Sequence, residues 1–134
     1  MLSATDRWEI AELVTRADVL ATRRDVAGYV ALFTDDAVLE GTEGVHRGSS
    51  QMRDDVGPIW TSEGDASVHL TLNVEVREVE GRDDSATAAS VLVILAGDGA
   101  TTITTVALIE QTLVRVGQSW KISRRVVRSI PSHS

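Results

Sequence analysis

A chain of 134 residues, 43% hydrophobic and 25% charged, has the size and balance of one globular domain, residues 1–134, with a single core. The absence of cysteine excludes disulfides, thiolate metal sites and a cysteine nucleophile. A net charge of −7 opposes phosphate backbones and anionic lipid surfaces, so neither nucleic acid nor a membrane is an expected partner. No apolar run reaches membrane-spanning length. The segment MLSATDRWEIAEL carries no basic stretch leading into an apolar core and a small-residue cleavage site, so the expected location is cytoplasmic.

Residues 6–24 read as a helix, because Ile10, Leu13, Val14, Ala17, Leu20 and Ala21 recur at three- and four-residue spacing. Asp6, with Glu9 three residues on, is its expected cap. Asp18 and Thr22 lie one turn apart on the flank of the apolar face, within reach of a cavity between this helix and a sheet. Asp25 is placed to cap a second short helix, VAGYVALF, in which Val30, Leu32 and Phe33 are core anchors. The lone tyrosine, Tyr29, joins that core and has a hydroxyl able to enter a site. Thr34 to Glu40 is expected to turn into a short strand. The glycine-rich GTEGVHRGSS, 41–50, reads as a loop holding His46, followed by a third helix from near Ser49 that Pro58 ends or bends. Trp60 is a flat apolar wall for a pocket, or a plug in the core. His46 and His69 lack companions at ligand spacing, so no metal is expected.

In ASVHLTLNVEVREV, 66–79, alternation sets Val68, Leu70, Leu72, Val74 and Val76 on one face and His69, Thr71, Asn73, Glu75 and Arg77 on the other. Two readings of His69 stand: an acid or base in a cavity, or a histidine on a solvated sheet face. Further strands at 85–96, 101–116 and 120–129 are separated by turn sequences, which predicts sequential antiparallel neighbours. Apolar residues occupy both parities of the middle strands. One face then meets the helices, and the other is expected to meet a second copy in a homodimer through the outer sheet face. On the last strand Arg124 shares parity with Trp120 and Ile122. It is therefore expected to point inward, toward a substrate oxygen or into an ion pair with Asp18 or Glu110.

Three helices and a curved meander, with DVAGYVALFTDDAVLE closing the helical part, His69 and Asn73 in H-x-x-x-N, and W-K-I on the last strand, resemble a SnoaL-like member of the nuclear transport factor 2-like superfamily. The resemblance covers about residues 5–128. It implies an α+β cone: three N-terminal helices packed on a strongly curved, mostly antiparallel sheet, with an apolar pocket for a small hydrophobic molecule. It also implies no cofactor. In family enzymes similar to scytalone dehydratase or the lindane dehydrochlorinase, a strand histidine takes a proton from carbon and an aspartate near the end of the first helix orients it. His69 matches the histidine. The aspartate position, three residues before Asp25, is Thr22 here, which leaves Asp18 as the candidate partner. A β-bulge in the His69 strand would reconcile an inward His69 with the apolar row opposite.

The resulting expectation is a cofactor-independent lyase, isomerase or cyclase acting on an apolar cyclic or polyketide-like molecule. His69 and Asp18 are its catalytic pair, and Trp60, Asn73, Thr22, Tyr29 and Arg124 line its substrate site, with Thr71 an alternative polar contact. A non-catalytic binder of small hydrophobic ligands and a dimeric scaffold with a filled core are the competing expectations.

Overall fold

The first helix, α1 (Ala4–Thr22), buries the stripe its spacing predicts: Ile10, Leu13, Val14, Ala17, Leu20 and Ala21. Its cap is Ser3, not Asp6. The Asp6 amide donates to Ser3 Oγ at 3.0 Å and the Ser3 amide donates back to the Asp6 carboxylate at 3.2 Å, a reciprocal box one turn earlier than expected. Asp6 also accepts from Arg115 Nη2 at 2.5 Å and from Trp120 Nε1 at 3.2 Å, tying the helix start to the sheet. The Arg115 guanidinium first, then Trp120 and the Ser3 amide, hold the Asp6 carboxyl well below the ordinary aspartate value of 3.8. A carboxyl depressed on folding contributes stability that is complete above its unfolded pKa and is lost as pH falls through the folded one. Asp6→Asn is therefore expected to lower the melting temperature at neutral pH, with the gap to the parent protein narrowing below about pH 4. Thermal melts across that range check it.

The computed structural model describes residues 1–64 and 66–130. Among them, α2 (Val26–Val30) starts at Asp25, whose side chain accepts from the Gly28 amide at 2.9 Å. The third helix, α3 (Gly48–Ser62), runs through Pro58 instead of stopping there. Proline forfeits one backbone hydrogen bond, but the buried row Met52, Val56 and Trp60 packs on both sides of it and keeps the turn in place. No described helix is long and apolar enough to cross a membrane.

Six strands, β1 (Phe33–Gly41), β2 (Gly44–Arg47), β3 (Val68–Val79), β4 (Arg82–Asp98), β5 (Ala100–Val116) and β6 (Ser119–Ser129), form one sheet in the order β2-β1-β6-β5-β4-β3. β3 to β6 are consecutive antiparallel neighbours, and β1 joins β6 in parallel. Part of the expected 41–50 loop is strand: β2 pairs back on β1 with Leu39 opposite His46. Gly44, at φ +114°, permits the tight reversal, and Gly48, at φ +82°, sends the chain straight into α3.

Two irregularities decide which side chains face inward. In β3, Leu72 pairs with Val91 but Glu75 pairs with Ala89, so Asn73 and Val74 together oppose Ser90, with Asn73 at φ +55°. This bulge swaps faces. Before it His69 and Thr71 point in and Val68, Leu70 and Leu72 point out; after it Val74 and Val76 pack on the core. In β6, Ile122 pairs with Leu113 but Arg124 pairs with Thr112, which makes Ser123 the extra residue. Trp120 and Ile122 face the core, and beyond the shift Arg125 is the buried one and Arg124 is exposed.

The buried apolar residues fall into two groups. The larger lies under the helices, from Ile10 and Val14 to Leu113 and Ile122, while Leu92, Ile94, Ala107 and Ile109 form a smaller one on the far wall.

Candidate active site

A cavity of about 200 Å³ draws its walls from both groups: Tyr29, Val56, Ile59 and Trp60 from the helical side, Leu92 and Ile94 from the far wall. Exposed Thr42, Glu43, Ser62 and Ser129 form its rim. Tyr29 and Trp60 meet edge to face, ring centroids 5.0 Å apart, and burial pushes the Tyr29 hydroxyl's pKa up, which keeps it protonated at neutral pH.

His69 lines this cavity and is 9% exposed. The β3 bulge lets it do so on a strand whose other face is apolar. The carboxylate at its ring is Glu63, just past the end of α3, whose Oε1 lies 2.7 Å from Nε2. A carboxylate only accepts, so Nε2 carries a ring proton, and in the neutral ring Nδ1 is then the bare acceptor. Glu63 is itself fixed. Arg24, at φ +57° where α1 ends, places its guanidinium 3.5 Å from Glu63 and donates to Gly64 O at 2.8 Å and Ser67 Oγ at 2.5 Å.

Asp18 does not hold the imidazole. Both its oxygens are engaged elsewhere: Oδ1 accepts from Arg125 Nη2 at 2.8 Å and Oδ2 accepts from the Thr71 hydroxyl. The pair is deeply buried, Asp18 at 1% and Arg125 at 3% exposure. Burial works against the Arg125 charge, but Tyr29 and Asp18 outweigh it and the pKa is raised, so the guanidinium stays a cation. Arg125 also lines the cavity, and its Nη1 is buried with no hydrogen-bond partner among the described residues.

The other expected site residues divide. Thr22 contributes through the backbone, its hydroxyl accepting the His69 amide proton at 2.8 Å and donating to the Asp18 carbonyl at 3.1 Å. Asn73 is exposed at the bulge and is not part of the cavity wall, because the bulge itself consumes its position. Arg124 points away and pairs with Glu40 at 3.2 Å, the place expected for it being taken by Arg125 through the β6 shift. The sequence reasoning missed three contributors. Arg125 is found only with the β6 shift in hand, and Glu63 only once the end of α3 is known to meet β3. His46 required reading G-V-H-R-G as a short strand between two turn glycines. It too lines the cavity, with Asp55 Oδ2 at 2.8 Å from its Nδ1.

A helix-covered curved sheet closing on a partly apolar pocket is the α+β cone of the nuclear transport factor 2-like class. The SnoaL-like domain family matches residues 3–126, and the chain belongs to that family. Similar solved structures include a protein with a cystatin-like fold from Nostoc punctiforme PCC 73102, 25% identical, TM-score 0.84, covering 98% of this chain and 96% of that one. An NTF2-like protein from Novosphingobium aromaticivorans is 23% identical, with TM-score 0.82 and coverages of 97% and 85%. LinA is 16% identical, with TM-score 0.83 and coverages of 95% and 87%. No protein of curated function matches the chain.

Proposed function

We propose that the chain is a cofactor-independent acid–base enzyme, a lyase, isomerase or cyclase, whose reaction begins by removing a proton from carbon beside a carbonyl. The observation that carries this reading is that the Glu63-held His69 lines the same cavity as Arg125, whose Nη1 is buried with no partner among the described residues. His69 Nδ1 takes the proton, the electron pair of the C–H bond moves into the carbonyl, and Arg125 receives the charge that develops on oxygen. Asp18 positions Arg125, and Thr22 positions the β3 backbone. Asp18 already neutralises Arg125, so the site favours a neutral carbonyl compound over a molecule anionic from the start. Ligand pockets for drug-sized molecules run to about 300–1,000 Å³. A cavity of about 200 Å³ suits a single substituted ring better than a fused polyketide.

The test is hydrogen exchange in heavy water, followed by proton NMR, on single-ring ketones such as acetophenone and cyclohexenone. Exchange at the carbon beside the carbonyl is expected to be faster with the protein than in buffer. Binding without any exchange across the panel would favour a carrier of small hydrophobic molecules instead.

We also propose a homodimer through the outer sheet face. Three apolar rows cross that face strand to strand: Leu72, Val91 and Leu108; Leu70, Val93 and Val106; Val68, Leu95 and Ile103. Leu108 is 54% and Ile103 65% exposed, and a contiguous apolar patch of this kind is rare on a monomer. Sedimentation is expected to give a dimer for the parent protein and a monomer for Leu72→Glu with Leu108→Glu. A parent protein that stays monomeric at high concentration contradicts this.

A further inference from the structure

The cavity holds a histidine that the proton-transfer reading leaves idle. His46 reaches inward from β2 at the sheet edge and is held by Asp55 of α3, Oδ2 lying 2.8 Å from Nδ1. The carboxylate can only accept, so the ring proton sits on Nδ1, and in the neutral ring Nε2 is a bare acceptor. That nitrogen is buried and has no partner among the described residues, as is true of Nη1 of Arg125, a residue that lines the same cavity. Buried polar atoms are almost always hydrogen-bonded. An orphan acceptor and an orphan donor on one small cavity mark two points at which a ligand supplies the missing partners. The ligand must then accept at Arg125 and donate at His46.

Local charge narrows the class further. Asp18 cancels Arg125 and Arg24 flanks Glu63, while the Asp55 carboxylate is paired only with the His46 ring among the described residues. The surroundings of His46 therefore favour a neutral hydroxyl over an anionic group. We propose that His46 is a specificity-determining contact, and that the pocket takes single-ring compounds bearing both a carbonyl, met by Arg125 Nη1, and a hydroxyl, met by His46 Nε2. The inference rests on the proposed function in placing the carbonyl at Arg125. Asp55 is a positioning residue that fixes the tautomer.

NMR titration with acetophenone and its ortho, meta and para hydroxy derivatives tests this. At least one hydroxy isomer is expected to bind about tenfold more tightly than acetophenone, the scale of one buried hydrogen bond. His46→Phe is expected to erase that preference, read as the ratio of hydroxy-isomer to acetophenone affinity within the variant. Asp55→Asn, whose amide can also donate to Nδ1 and so admit the other tautomer, is expected to shrink it. If the variants fail to fold, the parent protein still answers: the His46 Nε2 resonance is expected to move with the favoured hydroxy isomer and not with acetophenone. Acetophenone binding with no gain from any hydroxyl, or a gain that survives His46→Phe, overturns the inference and spares the carbonyl site. Failure of acetophenone to bind at all removes the carbonyl site and the inference with it.

Discussion

Arg125→Met is expected to cost the fold about 3–5 kcal/mol, the penalty for leaving a buried ionic partner uncompensated. The partner is Asp18, whose second oxygen is occupied by Thr71 and which has almost no exposure through which to recruit water. In a domain of this size that loss corresponds to a drop in melting temperature of about 10–20 °C. Asp18→Leu alone is expected to do similar damage, by stranding the guanidinium. The triple variant Asp18→Leu, Thr71→Val, Arg125→Met removes both charges and the hydroxyl together. It is expected to recover most of the stability, since apolar replacement of a buried ion pair is often neutral or favourable. It should still lack activity, because nothing then receives charge on the substrate oxygen. Melting curves and exchange rates on the three proteins check this. Full activity in the triple variant would show that the buried pair serves the fold alone.

His69→Ala is expected to lower ketone exchange by about 10²-fold or more, the usual contribution of a general acid or base. The fold should tolerate the change, because the contact that anchors β3 at this point is the His69 amide to Thr22, which alanine keeps. Glu63→Gln is the more discriminating variant. A glutamine can donate to Nε2 and so favour the opposite tautomer, with the proton on Nδ1 where a base is needed. Its loss in rate is expected to approach that of His69→Ala, with little change in substrate affinity. Rate and affinity measured separately distinguish this from simple disruption of the pocket.

Much of the architecture is legible in the sequence, because helices and hairpins are written in local patterns: the apolar stripe of α1, the Asp25 cap, the turn sequences between β3, β4, β5 and β6. The site is less so, for one physical reason met twice. Strand parity holds only while the ladder is regular, and a single extra residue inverts it. The alternation of 66–79 predicts Asn73 beside His69, but the bulge carries Asn73 out of register and turns Val74 and Val76 inward. Parity from Trp120 selects Arg124, and the shift at Ser123 delivers Arg125 instead. Glu63 illustrates a different gap. It meets His69 through the helix-to-strand connection that Arg24 pins, a contact between segments that no periodicity encodes. The Asp18 expectation erred for a related reason: a helix-flank carboxylate can serve either of two partners, and the buried arginine, absent from the prediction, takes it.

Proton abstraction by this route requires His69 to stand in the cavity wall with its proton fixed on the nitrogen that faces Glu63. Imidazole nitrogen NMR of the ligand-free protein at neutral pH measures this without any substrate. The predicted result is a single His69 tautomer, protonated at Nε2 and bare at Nδ1, that shifts toward protonation at Nδ1 in Glu63→Gln. A ring protonated at Nδ1, or one averaging both tautomers as it would in water, contradicts it.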